Sequence, residues 1–503
     1  MIFQRKIRRK DIRMLLKIDR NLSTPIYKQI IDKIKELIDQ GWLELGQRLP
    51  SSRDLAEQLG VTRSTVCQAY AELQALGYLQ SRPGSYNTVQ QRRKEAVYNP
   101  EYSSFVDWKK RASADAVKLY EIFLGYTPER SQDSKDKDIP FDLTSITLDP
   151  RLYPLADFRR CIHHVLLDSG AESLQYGSYK GYPPLCEFIS RRLRLHGISV
   201  SEDEILITSG AQQAIDLIAR LFRGPGKAVI VESPTYPSAI PLLRFNGLKI
   251  ADIPMRFNGM DLKSLEKTLS REKVAFVYTM PNFQNPTGIT TGHHHRERLL
   301  DICLRQKVPI VEDGFEEDMK YYGKVDLPIK SIDDKNIVIY LGTFSKALFP
   351  GLRIGWITAD KELIRRLQAI KRFCDLTSNH LAQIAIHRFC ALGYYDKHIK
   401  KLHRVFRQKM EGALACMNDF FPSSMSWTHP VGGYTIWVKM PRKLSEKDLD
   451  ALTTPFGVKV SPGEYYFPRR APSEHFRISI AHLNKEEIQE ALKRLGKALH
   501  KLA

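Results

Sequence analysis

The order of apolar and polar positions divides the chain into a helical segment near its start and a long stretch where strands and helices alternate. Between Pro25 and Gln40, Ile26, Ile30, Ile34, Leu37 and Ile38 recur at helical spacing, and Gly41 ends the pattern. Two shorter helical patterns follow. The first sets Leu55, Ala56 and Leu59 on one face behind Ser51 or Ser52 as cap. The second, capped by Thr62, buries Val66, Ala69, Tyr70, Leu73 and Leu76. Gly60-Val-Thr forms the tight turn between them, so the pair predicts a helix-turn-helix. Tyr78 to Val89, turning at Pro83-Gly84, predicts a hairpin that would serve as a wing.

From residue 141 to 503 the pattern is that of an α/β domain. Apolar runs start at Ile205, Lys227, Val274, Val308 and Ile337, and each ends in a polar or glycine-containing turn. Their carboxyl ends carry Ser209 and Gly210, Tyr236, Asn285, Asp313 and Lys346. In an open α/β sheet that edge is where ligands bind. Between the domain at 20–90 and the domain at 141–503, residues 91–140 have linker composition. Gln90-Gln-Arg-Arg-Lys opens this region, and Ser131 to Asp138 closes it without an apolar residue. Inside it, Trp108, Val117, Leu119, Tyr120, Ile122, Phe123 and Leu124 suit a short docking helix. Which domain that helix packs on is left open by its sequence.

Composition narrows the function classes. Of 503 residues, 43% are hydrophobic and 10% aromatic, enough for a large core. The formal charge is +20 and the pI near 9.5, which favours an anionic partner, nucleic acid first. The first twenty residues alone hold eight Lys/Arg against two Asp, as a DNA-contacting arm or a solubilising tail. Seven scattered cysteines with no C-x-x-C pair read as reduced thiols of a cytoplasmic protein. No apolar run approaches ~18 residues, and the start lacks a signal-peptide core. His293-His-His295 has no acid or cysteine spaced to complete a metal site, so no metal is expected.

Lys346 ends the run Ile337-Val-Ile-Tyr-Leu-Gly-Thr-Phe-Ser, and Arg353 follows seven residues later beyond Pro350-Gly. A lysine at a strand end suits Schiff-base chemistry, because burial lowers its pKa and frees the amine to attack a carbonyl. The surrounding residue types fit pyridoxal 5'-phosphate. Lys346 would form the aldimine, and Asp313 would pair with the pyridinium nitrogen. Asn285 would hydrogen-bond the ring hydroxyl, and Tyr236 would stack on the ring. The Ser209-Gly210-Ala211 amides, Thr343, Ser345 and Arg353 would hold the phosphate. In the basic domain, Arg63, Ser64, Thr65 and Gln68 form the polar face that a recognition helix presents to DNA.

Leu49-Pro-Ser-Ser-Arg-Asp-Leu-Ala and Thr62-Arg-Ser-Thr-Val, with Gly77-Tyr-Leu beyond, resemble the winged helix-turn-helix of GntR-type bacterial regulators. That resemblance implies DNA contacts from Arg53, Arg63, Ser64 and Thr65, and from the wing near Gly84. The wing departs from the usual Gly-x-Gly-Thr, reading Gly84-Ser-Tyr-Asn-Thr. Asn285-Pro-Thr-Gly and Ser345-Lys346, with Gly351-Leu-Arg-Ile-Gly, resemble fold-type I aminotransferases. This resemblance implies that Tyr176 reaches the phosphate of a neighbouring subunit and that Arg477 grips a substrate carboxylate. Related sequences often carry a tyrosine two or three residues after the aspartate, where this chain has Phe315.

The fusion as a whole resembles the MocR/GabR subfamily. It implies a head-to-tail, domain-swapped homodimer that binds an operator and senses an amine, an amino acid or a B6 vitamer through an aldimine at Lys346. At most a residual half-reaction of transamination is expected. A working aminotransferase with an accessory DNA-binding domain is the alternative.

Overall fold

Three helices, Ile26–Asp39, Ser52–Leu59 and Arg63–Ala75, precede a short hairpin in which Leu79–Gln80 pairs antiparallel with Thr88–Val89. These come from a computed structural model that describes residues 16–81, 86–90, 106–126, 139–322 and 326–502. The chain divides into two units, Met1–Trp108 and Lys109–Ala503. In the first, Ser51 Oγ accepts the Asp54 N–H at 3.1 Å and Thr62 Oγ1 accepts the Thr65 N–H at 3.3 Å, so both helices are capped as their sequences predict. Gly60 closes the turn at φ +62°, a conformation glycine adopts without steric cost. Ile30, Ile34, Leu55, Val66, Ala69, Leu73 and Val89 form the core.

Leu76 corrects the expected core. It is 41% exposed, because the helix ends at Ala75 and Leu76 is its C-cap, turned off the inner face before Gly77. Gly84 and the basic arm through residue 15 lie outside the described residues.

The second unit is built on an eight-stranded sheet. Its order is Ile205–Thr208, Gly355–Thr358, Val338–Thr343, Ile310–Asp313, Val274–Thr279, Ala228–Ser233, Lys249–Arg256 and Gly259–Met260. The four strands from Val338–Thr343 to Ala228–Ser233 run parallel, as does Lys249–Arg256. Their near-continuous apolar runs are what parallel strands covered on both faces require. Gly355–Thr358 is antiparallel to both its neighbours, with Gly355 opposite Thr208 on one side and Thr343 on the other. It therefore begins where they end, which places Arg353 at the same edge as Ser209 and Lys346.

A four-stranded sheet, in the order Ser426–Trp427, Thr435–Leu444, Ser473–Ser479 and Ser461–Pro462, carries Arg477. The region expected as a linker contains a helix, Ala114–Tyr126, which lies against Ala239–Phe245 of the large unit. Val117, Leu119 and Ile122 are half-buried. Among the described residues no helix is long and apolar enough to cross a membrane. Nor does any group of three His, Cys, Asp or Glu among them stand close enough to hold a metal; His293–Arg305 is a helix with His293 and His294 exposed.

Candidate functional site

Ala211, Tyr236, Asn285, Asp313, Thr343, Ser345, Lys346 and Arg353 line one cavity of about 530 Å³, counted to its open mouth. A few polar groups converging among apolar side chains such as Ile146, Met280 and Phe315 make the lining that of a small-molecule site. Strand ends deliver these side chains. Asp313 is the last residue of its strand, paired with Leu341 in the register that leads on to Lys346. Gly314 N–H donates to the Leu341 carbonyl at 2.9 Å, which locks the two chain ends together.

Lys346 Nζ lies 3.5 Å from the Ile146 carbonyl, its hydrogen-bond acceptor. Burial lowers its pKa; Glu316 and Asp313 oppose that effect, while Arg477 and Arg353 add to it. A larger fraction of neutral amine at neutral pH is the result. Asp313 is buried, and burial pushes its carboxyl up to about 6. Tyr278 donates its hydroxyl to Asp313 Oδ2 at 2.7 Å, whereas Oδ1 is buried with no hydrogen-bond partner. A buried acceptor without a donor is costly unless a ligand supplies one, and a protonated ring nitrogen would do so.

The corner expected to hold the phosphate is partly built and partly occupied by internal hydrogen bonds. Gly210 caps the helix Ala211–Phe222 at φ +87°, and a Cβ there would collide with the Arg353 guanidinium. Arg353 Nη2 donates to the Ser209 carbonyl at 3.1 Å, and Nη1 lies 3.5 Å from Ser345 Oγ. Charge and helix N-terminus thus meet on one side of the cavity. The Ser209 amide is already donated to Gln213 Oε1 at 2.7 Å. The Thr343 hydroxyl serves its own turn, donating to the Ile354 carbonyl and accepting the Ser345 amide. Ser209 and Gly210 shape this corner but do not line the cavity.

Arg477 is buried behind the site. Its Nη1 donates to Asn285 Oδ1 at 3.0 Å and its Nη2 to the Thr144 carbonyl, while Nε has no partner. Both acceptors are uncharged, its guanidinium lies 5.3 Å from the centre of the Tyr466 ring, and Arg477 does not itself line the cavity. Tyr236 donates to Gln212 Oε1 at 3.2 Å. Phe315 lines the cavity and offers no hydroxyl. Tyr176 is 78% exposed and lies outside this cavity.

Sequence reasoning missed Tyr278, Gln212 and Glu316. Tyr278 sits inside an apolar run and reads as core. Gln212 reads as a helix surface residue.

In the first unit Arg53, Arg63, Ser64 and Gln68 are exposed and Thr65 is half-buried. Thr65 Oγ1 and Ser64 Oγ both bond Thr62 Oγ1, at 2.8 and 2.9 Å, so the cap ties them down. Arg63 Nε lies 3.4 Å from Ser52 Oγ, joining the two helices of the turn.

Residues 153–495 match the family model described as aminotransferase class I and II, and residues 26–89 match that of bacterial regulatory proteins, gntR family. The large unit is similar to aromatic-amino-acid aminotransferase 1 of Thermococcus litoralis, 36% identical over 70% of this chain and 85% of that protein. Nearly the whole chain is similar to the uncharacterized HTH-type transcriptional regulator YdfD of Bacillus subtilis, 30% identical over 95% of this chain and 97% of that protein. Among solved structures, LysN, the α-aminoadipate aminotransferase of Thermus thermophilus, matches with a TM-score of 0.72 and 30% identity. It covers 79% of this chain and 99% of its own, and was solved with N-(5'-phosphopyridoxyl)-L-leucine.

Proposed function

The chain belongs to the MocR-type regulators, in which a GntR-type DNA-binding domain is fused to a class I/II aminotransferase domain, and from this we propose how it works. The large unit binds pyridoxal phosphate and senses an amino acid, an amine or a B6 vitamer, and the small unit passes that state to an operator. The observation that carries the reading is that Lys346 and Asp313 line one cavity, with Asp313 Oδ1 buried and without a hydrogen-bond partner. When bound, the cofactor supplies an aldehyde that condenses with amines and a ring that draws electrons from them.

The chain's own residues then have distinct tasks. Lys346 offers an amine that burial keeps partly neutral. Asp313 holds a proton on the ring nitrogen, and Tyr278 fixes the orientation of that carboxyl. Tyr236 covers the ring, and Asn285 orients its hydroxyl edge while bracing Arg477. Ala211, Ser345 and Arg353 hold the phosphate, and Arg477 takes the effector's carboxylate. Arg53 and Arg63 supply backbone contacts to DNA, and Ser64, Thr65 and Gln68 the base-edge face. The working form is a cytoplasmic homodimer, to which exposed Tyr176 contributes across the subunit boundary. For the switch to operate, the effector binds the two arrangements of the dimer unequally.

Absorbance of the bound cofactor and affinity for operator DNA, followed together against α- and γ-amino acids, amines and B6 vitamers, test this. One compound is expected to move both. A compound set that moves the absorbance and leaves DNA affinity unchanged would contradict it.

The intact group of Lys346, Asp313, Asn285 and Arg477 favours a second reading, a working aminotransferase. That reading expects many turnovers with a 2-oxo acid, whereas the regulator expects at most one half-reaction. Phe315, without a hydroxyl beside the ring, favours the regulator.

A further inference from the structure

Glu316 follows Phe315 in the turn beyond Asp313. Its side chain is 2% exposed, and neither carboxylate oxygen has a hydrogen-bond partner. Neighbouring buried acids are provided for. Glu232 accepts from Thr279, Met280 and Gln284, and Glu312 from the Ile329 and Lys330 amides. Asp318 is held by Arg192 and Tyr395. A buried carboxylate with no donor is expensive, so a specific neighbour must compensate it or it takes up a proton.

Around Glu316, the Tyr434 amide is an uncharged donor, and Arg192 and His196 line the same cavity but pair with Asp318, so the cations that act on it are Lys346 first and Arg477 second. Tyr434 donates its hydroxyl to the Lys346 carbonyl at 2.7 Å, and Tyr321 donates to the Gly433 carbonyl at 2.7 Å, so both point away. Asp313 carries the same charge. Arg477 acts on Glu316 through its charge, less strongly than Lys346, and its two Nη atoms are bonded to Asn285 and Thr144. A second cavity, of about 470 Å³, is lined by Glu316 and Lys346, and Lys346 also lines the cofactor cavity, which Glu316 does not. Gly433, at φ +69°, leaves room for the carboxylate, since a Cβ there would lie 2.5 Å from Glu316 Oε2.

We propose that Glu316 is a positioning residue that sets the proton affinity of Lys346, the two groups sharing one ionisable proton across their common cavity. When the lysine nitrogen is charged, Glu316 is the carboxylate that balances it. When the nitrogen is neutral and nucleophilic, Glu316 is the neutral acid. The proton count of the pair is the same in both states, so no net charge is buried while Lys346 is freed or engaged. This deepens, and rests on, the reading of Lys346 as the sensing amine. Burial raises the Glu316 pKa and lowers that of Lys346, as such a pair requires.

The test uses full-length protein in two forms. In the cofactor-free form, the rate of Lys346 acylation by acetic anhydride against pH, read by mass spectrometry, gives the lysine midpoint directly. In the pyridoxal-phosphate-loaded form, the pH midpoint of the cofactor's absorbance gives a second reading. Glu316→Gln is expected to lower both midpoints by about one pH unit, a roughly tenfold loss of proton affinity. Glu316→Asp, which keeps the charge, should stay within about half a unit of the parent. Midpoints for Glu316→Gln within ~0.3 unit of the parent would overturn the proposal.

Should Glu316→Gln fail to fold, Lys346→Ala gives the converse reading. Its Glu316 protonated-carboxyl infrared band should persist to higher pH than in the parent, and an unchanged band overturns the pairing. Absence of any cofactor band in the parent would count against the sensor reading alone, since acylation reports on Glu316 without the cofactor.

Discussion

Tyr278 donates its hydroxyl to Oδ2 of Asp313 at 2.7 Å and leaves Oδ1 buried without a donor. The bond stabilises the charged carboxylate against the burial that raises its pKa. Tyr278→Phe removes it without changing the ring. A hydrogen bond to a charged group contributes roughly 1.5–3 kcal/mol, so affinity for pyridoxal phosphate should fall about ten- to hundredfold near neutral pH. Cofactor titration by absorbance measures this; unchanged affinity would mean that the carboxylate does not hold the ring.

The raised pKa of Asp313 has a stability consequence of definite sign. Folded, it titrates near 6; unfolded, near 3.8. The folded state therefore binds the proton more tightly, and this contribution is greatest below the unfolded value and lost as pH rises through 6. Relative to Asp313→Asn, the cofactor-free parent should lose roughly 2 kcal/mol between about pH 4 and pH 6.5. Parallel denaturant titrations of the two proteins check the difference, in which the shared titrating groups cancel.

Gly210 stands where a Cβ would meet the Arg353 guanidinium, in a backbone region that is nearly glycine-only. Gly210→Ala should displace Arg353 from the Ser209 carbonyl. Affinity for pyridoxal phosphate is expected to fall at least about tenfold, from strain of order 1–3 kcal/mol, while affinity for pyridoxal, which lacks the phosphate, changes far less. Equal losses for both would place the anion elsewhere.

On the DNA side, Arg63→Ala should weaken binding to all sequences alike and reduce the salt dependence by about one counterion. Gln68→Ala should cost roughly 1–3 kcal/mol on the operator alone if it reads a base. Affinities on operator and random DNA at several salt concentrations separate the two roles.

That Lys346, Asp313 and Arg353 lie together was legible in the sequence because each stands where an apolar run meets a turn, and the edge of a parallel sheet gathers such places. The helix-turn-helix was legible because its caps, Ser51 and Thr62, act within four residues of themselves. Tyr278 was not, since its task depends on the strand Val274–Thr279 lying beside Ile310–Asp313, a pairing that no local pattern encodes. Glu316 reads as a solvent-facing charge in a turn, yet it is buried, with Gly433, more than a hundred residues along the chain, close against its carboxylate. Leu76 shows the limit of periodicity at a helix end, where the spacing continues and the helix does not. The docking of Ala114–Tyr126 on Ala239–Phe245 likewise rests on contacts between segments far apart in the chain.

Operator affinity of the cofactor-loaded parent and of Lys346→Ala, each with and without the effector that shifts the cofactor's absorbance, bears most directly on whether Lys346 is the sensing element. The parent is expected to change its affinity with effector by about 5- to 150-fold, the usual range of allosteric coupling, and Lys346→Ala not at all. An effector-dependent change that persists in Lys346→Ala would contradict it.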